Sequence, residues 1–133
     1  MTRRFSTPLT ELLSIDHPIL CGGLMWLSDA EYVAAVVNAG AMGFITPRSF
    51  ENLELFRIAL QRCKALTAGK PFGVNLYISG DQTANQRLGD WIKISLEEGV
   101  QYFETAGLSP APLMPRLLEA GATVIHKCTT IRH

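Results

Sequence analysis

Five short apolar runs alternate with helix-period segments along 133 residues, no hairpin signal separates any two of them, and glycines or polar residues gather where the runs end. The alternation predicts an α/β fold with parallel strands covered by helices, because parallel neighbours need a crossover and strands buried on both faces read as continuous apolar runs. The run ends then separate two architectures. A doubly wound sheet carries its phosphate-binding glycines as GxGxxG after the first strand, and Gly22-Gly23-Leu24-Met25-Trp26 does not match. A (β/α) barrel of the TIM type places functional residues at the C-terminal ends of several strands. The predicted class is therefore α/β, parallel (β/α) TIM-barrel type, with five strands and four helices behind a lead-in segment, residues 1–17.

Each element has a local reason. In the lead-in, Thr7-Pro8 starts a helix and Leu9, Leu12 and Leu13 are spaced for one face, which suits a plug over one end of the core. The first strand, residues 18–22, stops on Gly22-Gly23. A helix over 29–40 follows, with Ser28 or Asp29 as its cap and Gly40 as its stop. The second strand covers 41–46 and ends before Pro47. Leu53, Phe56, Leu60, Cys63 and Leu66 recur at helical spacing over 50–67, and Gly69-Lys70-Pro71 ends that helix. The third strand, 72–77, leads through a polar loop to a helix over 85–98 that stops at Gly99. The fourth, 100–107, runs into a glycine turn. A helix over 110–120 and a fifth strand over 123–128 complete the described order.

Composition narrows the function. The chain is 47% hydrophobic and 18% charged, and its 12 basic and 12 acidic residues are scattered. That balance lacks the electrostatic footprint of a nucleic-acid or membrane-surface binder. The basic pair Arg3-Arg4 has no apolar stretch behind it, so it reads as neither a secretory signal nor a membrane anchor, and the cytoplasm is the expected location. Cys21, Cys63 and Cys128 lack metal-finger spacing and read as reduced, small core residues. No metal site is expected.

The strand ends supply the candidate site: Gly22-Gly23, Asn75, Glu104-Thr105-Ala106-Gly107 and His126-Lys127. Taken singly each has an ordinary explanation. The glycines serve a tight turn or the close approach of another group, Asn75 caps a turn, Lys127 is solvated, Glu104 ties down a neighbouring loop, and strand alternation sends His126 to the face opposite Lys127, into the core. Converging on one barrel face, an Asn amide and a Lys ammonium over a glycine floor suit a flat heteroaromatic ring with carbonyl and ring-nitrogen acceptors.

Five stretches in order carry a family likeness: His17-Pro18-Ile19-Leu20-Cys21-Gly22-Gly23-Leu24-Met25-Trp26, Val36-Val37-Asn38-Ala39-Gly40, Pro71-Phe72-Gly73-Val74-Asn75-Leu76, Glu104-Thr105-Ala106-Gly107 and Val124-Ile125-His126-Lys127-Cys128. Through them the chain resembles the nitronate monooxygenases, formerly 2-nitropropane dioxygenases, which are FMN-dependent (β/α)-barrel flavoproteins. The resemblance implies that the backbone of Gly22, Gly23 and Leu24 lies against the FMN and that Asn75 and Lys127 hydrogen-bond it, Lys127 near the pyrimidine edge. Leu24 stands where many relatives carry Met. The implied reaction is oxidation of a small-molecule alkyl nitronate with O₂ to a carbonyl compound and nitrite.

The family's catalytic histidine follows one strand later in a glycine-rich segment; His133 lacks that context, so the resemblance assigns no catalytic residue here. An eight-stranded barrel takes roughly 250 residues. The expectation is that residues 1–133 are the N-terminal part of a single FMN-binding (β/α)8 barrel domain, inactive alone and prone to self-association through its exposed sheet. Other readings are a flavin-dependent enoyl-ACP reductase, which shares the opening pattern, a catalytically incomplete barrel acting as an assembly partner, and a phosphosugar-binding barrel.

Overall fold

A computed structural model of the chain describes residues 5–130; Arg3, Arg4 and His133, each weighed above, lie outside them. The elements run α1 (Pro8–Leu13), β1 (Leu20–Cys21), α2 (Ala30–Asn38), β2 (Met42–Ile45), α3 (Leu53–Leu66), β3 (Gly73–Ile78), α4 (Leu88–Glu97), β4 (Tyr102–Gly107), α5 (Met114–Glu119) and β5 (Thr123–His126). All four strand pairs are parallel, and the spatial order β1-β2-β3-β4-β5 repeats the sequence order. A doubly wound sheet reverses its strand order at a switch point. Here each crossover advances by one strand in the same direction, which curls the sheet into half of a (β/α) barrel.

Alternation along the strands divides the core in two. Ile45, Val74, Leu76, Phe103 and Val124 meet the helices in one apolar cluster with Val33, Phe56, Leu60 and Ile92. On the inner side, Met42 and Phe44 form a second cluster with Leu13 and Ile15, and Leu9, Tyr102 and Ile125 pack against it. The lead-in helix therefore plugs the end of the half-barrel where the strands begin. A capping box between Thr7 and Thr10 starts it, and the Gly40 carbonyl accepts from the N–H groups of Asp16 (2.9 Å) and His17 (3.0 Å), fastening the segment to the end of α2.

Several boundaries differ from the sequence reading, each for a local reason. α4 begins at Leu88 because the Asn85 side chain is used elsewhere: its Oδ1 accepts from Ser79 N (2.9 Å) and its Nδ2 donates to Ser79 O (2.8 Å). α5 begins at Met114, so that Pro115 falls in the first turn where a missing N–H costs nothing. Asp29, whose Oδ1 accepts from Tyr32 N at 2.9 Å, is the cap of α2. Of the three cysteines only Cys63 belongs to the core. Cys21 on the two-residue edge strand is partly exposed, and Cys128 beyond β5 is exposed.

Candidate functional site

The inner face carries a polar cluster one layer above the plug. Asn75 and Glu104 are directly opposed in the β3/β4 register, so both side chains point inward at the same height. One oxygen of Glu104, Oε2, accepts from Asn75 Nδ2 at 2.9 Å and from Gly23 N at 2.8 Å. Its other oxygen, Oε1, lies 2.9 Å from Lys127 Nζ. A buried carboxylate is costly unless paired and hydrogen-bonded, and Glu104, 4% exposed, has three donors from three different elements. Charge-assisted bonds of this kind are the strong ones. Lys127 is held by its own backbone as well, its N–H donating to Thr105 O at 2.8 Å.

That cluster explains the glycine pair. A Cβ on Gly23 would stand 2.3 Å from Asn75 Cβ and 2.6 Å from Thr46 Oγ1, and one on Gly22 would stand 2.6 Å from Glu104 Oε1. The first strand thus brings bare backbone onto the inner polar side chains, closer than any L side chain permits. Beyond the glycines the chain is clasped by Ser28, fully buried, whose Oγ accepts from Leu24 N at 2.8 Å. Trp26 N donates to Ser49 Oγ at 2.8 Å.

Beside this backbone lies an open cavity of about 390 Å³, within the range of small-molecule sites. Gly22, Gly23 and Leu24 line it together with the apolar Phe44 and Ile125 and with Glu104 and Lys127, whose Nζ would lie 3.3 Å from a Cβ on Gly22. The Lys127 side chain is 53% exposed, and an ammonium has three N–H groups, so two remain for a ligand beside the one that faces Glu104.

Of the five residues singled out in the sequence, four line the cavity. Asn75 does not. It sits at the third of six positions in β3 rather than at the strand end, because β3 continues to Ile78, and it is 6% exposed. Its contact is with Glu104. His126 faces away from Lys127, its Nδ1 3.0 Å from Thr105 Oγ1, as alternation requires. Glu104 stood among the strand-end candidates only as a loop tether, and Thr46 did not stand among them. Glu104 is the hub of the cluster, and the available signal was a carboxylate in an apolar run on a strand next to the one carrying Asn75. Thr46, buried beside Gly23, left no signal beyond its place at the end of the second run.

A singly wound parallel sheet whose strands follow one another in sequence order, with its base plugged by the lead-in helix, defines a protein of the (β/α)-barrel class. The nitronate monooxygenase family model matches residues 6–129, and the chain belongs to that family. Among curated relatives it is 35% identical, over 98% of its own length, to (3aS,4S,5R,7aS)-5-hydroxy-7a-methyl-1-oxo-octahydro-1H-indene-4-carboxyl-CoA dehydrogenase of Mycobacterium tuberculosis. It is 32% identical, over 72% of its length, to a probable nitronate monooxygenase of Staphylococcus haemolyticus. It spans 35% and 29% of those two proteins, about a third of each. Among solved structures, FabK from Thermotoga maritima superposes with a TM-score of 0.80 at 32% identity, over 92% of this chain and 37% of that one. Among the described residues no helix is long and apolar enough to cross a membrane.

Proposed function

We propose that this chain supplies the first part of an FMN site in a flavin-dependent oxidoreductase, and that the substrate is an alkyl nitronate, oxidised with O₂ to a carbonyl compound and nitrite. The observation that carries the cofactor reading is the cavity lining itself: bare backbone at Gly22 and Gly23, the Lys127 ammonium close beside Gly22 and half exposed, and the apolar side chains of Phe44 and Ile125. That donor set fits a planar ring with an acceptor edge. Bound there, the flavin would supply the electron acceptor for the substrate. Gly22, Gly23 and Leu24 would present their backbone to the ring, Lys127 would donate to its pyrimidine edge, and Asn75 would act from behind the wall by holding Glu104. Membership of the nitronate monooxygenase family supports the substrate.

A second substrate class has its own support. The relative named as a carboxyl-CoA dehydrogenase is matched over more of this chain than the probable nitronate monooxygenase, 98% against 72%. An acyl-thioester substrate, as in the enoyl-ACP reductase reading, is the runner-up. One preparation tests both layers. The 133-residue chain is incubated with FMN and passed through gel filtration, and the visible spectrum of the protein peak is recorded. A retained flavin band that is lost in Lys127→Met is the expected result, and no retained band overturns the claim that these residues hold FMN. Anaerobic bleaching of that band by ethyl nitronate supports the first substrate; bleaching by NADH alone, with reoxidation by an enoyl thioester, supports the second.

A further inference from the structure

Glu104 has no role in the reaction outlined above, yet it is the most heavily bonded side chain of the cluster. Its carboxylate joins the turn after β1, strand β3 and the residue after β5 through Gly23 N, Asn75 Nδ2 and Lys127 Nζ, at 2.8, 2.9 and 2.9 Å. It is almost wholly buried whereas the lysine is half exposed, so the pair has an inner, anionic end and an outer, cationic end. We propose that Glu104 is a positioning residue that sets both the place and the net charge of the ligand-facing wall: it draws Lys127 Nζ onto the inner face and neutralises it, so that a ligand meets an ion pair with two directed N–H donors instead of a free cation.

Three physical points carry this. A lysine side chain has many rotamers and no geometry of its own, so a fixed ammonium position at a strand end needs a partner, and Glu104 Oε1 is its ion-pair partner. The carboxylate cannot turn away to leave the lysine, because Oε2 is committed to Gly23 and Asn75 on the other side. Opposite charges at 2.9 Å also cancel most of the field beyond them, since at distances longer than their separation they act as a dipole. A wall of that kind favours a neutral ring with acceptor atoms, and it moderates the stabilisation that a lone ammonium would give to a reduced, anionic one.

The inference rests on the FMN reading for its consequence but not for its geometry, and the experiment separates the two. The chain and its Glu104→Gln variant are treated with a limiting acetyl N-hydroxysuccinimide ester, and the modification of Lys127 is followed by mass spectrometry relative to the exposed Lys93. The variant keeps an oxygen for Gly23 N while turning an amide toward the lysine, and Lys127 modification is expected to rise severalfold relative to Lys93, because an ammonium no longer held against the buried carboxylate swings out to meet the reagent. In the same proteins loaded with FMN, the reduction potential of the flavin is expected to shift upward, an effect that a merely structural role would not produce. Unchanged Lys127 reactivity in Glu104→Gln overturns the proposal whether or not FMN binds. Raised reactivity with an unchanged potential overturns the charge-setting half of it. Raised reactivity with no flavin retained by either protein upholds the clamp and overturns the FMN reading instead. Should Glu104→Gln lack a cooperative melt, the coupling is read from Lys127→Met, which strands the carboxylate: it is expected to melt below the double variant Glu104→Gln/Lys127→Met, and the reverse order overturns the proposal.

Discussion

On the helix-facing side of β3 and β4, Val74, Leu76 and Phe103 are fully buried among apolar neighbours, whereas one residue away on the inner side Asn75 and Glu104 are buried in each other's hydrogen bonds. The two faces of one sheet thus solve burial in different ways. The outer face needs only area and fit, which many side chains supply. The inner face needs named partners, because a carboxylate or amide without them costs more than the area around it returns. The outer face accordingly sets stability, and the inner one carries the proposed binding role.

The largest expected effect belongs to the outer face. Phe103→Ala removes a fully buried ring from the helix-facing core and is expected to destabilise by about 3–5 kcal/mol, read as a lower midpoint in urea unfolding followed by circular dichroism. The ring points away from the cavity, so whatever FMN retention the folded fraction shows should match that of the parent. A variant that keeps its midpoint but loses the flavin would invert the division between the faces.

Cys63 sharpens the same comparison with a titratable group. It lies fully buried in the helix-facing cluster, and burial, with a smaller contribution from the Glu31 charge, pushes its thiol from 9.0 up to about 12. The folded chain therefore holds the proton more tightly than the unfolded chain does. Its stabilising contribution is complete below about pH 9 and is lost as pH rises from there toward 12. Two outcomes follow. A thiol reagent at pH 8 should modify exposed Cys128 first and spare Cys63 until the chain unfolds, and Cys63→Ala should flatten the fall in unfolding midpoint between pH 8 and pH 10. Early labelling of Cys63 would mean that the outer core opens readily.

How much of this was legible beforehand follows the same division. Outer-face positions declare themselves by composition, so the strand order, the crossovers and the plug of residues 8–13 could be read from apolar runs and caps. Inner-face roles depend on register. The pairing of Asn75 with Glu104 is fixed by how far each crossover advances the chain, which no local pattern encodes, so Glu104 read as a loop tether and Asn75 as a strand-end residue. Asn85 illustrates the same limit at a helix start: its residue type suits a cap, but its amide is taken by Ser79 across the loop. Lys127 and His126, by contrast, were separable from sequence alone, because alternation is a local rule.

The smallest effect tests the inner rule at its weakest point. Thr46 is 4% exposed, directly follows β2 beside Gly23, and its Oγ1 is buried without a hydrogen-bond partner among the described residues. A buried hydroxyl left unpaired costs about 1–3 kcal/mol, so Thr46→Val, which keeps the branched shape and removes the oxygen, is expected to leave the unfolding midpoint unchanged or raise stability by about 1 kcal/mol. Glu104→Gln, on the same face, removes a partnered group and should move the midpoint the other way. Opposite signs for two polar deletions on one face would show that pairing, rather than polarity, governs the interior of this half-barrel. A loss of stability in Thr46→Val would show instead that the hydroxyl has a partner, extending the polar cluster from β3 and β4 to the end of β2 and placing Gly23 between two bonded side chains.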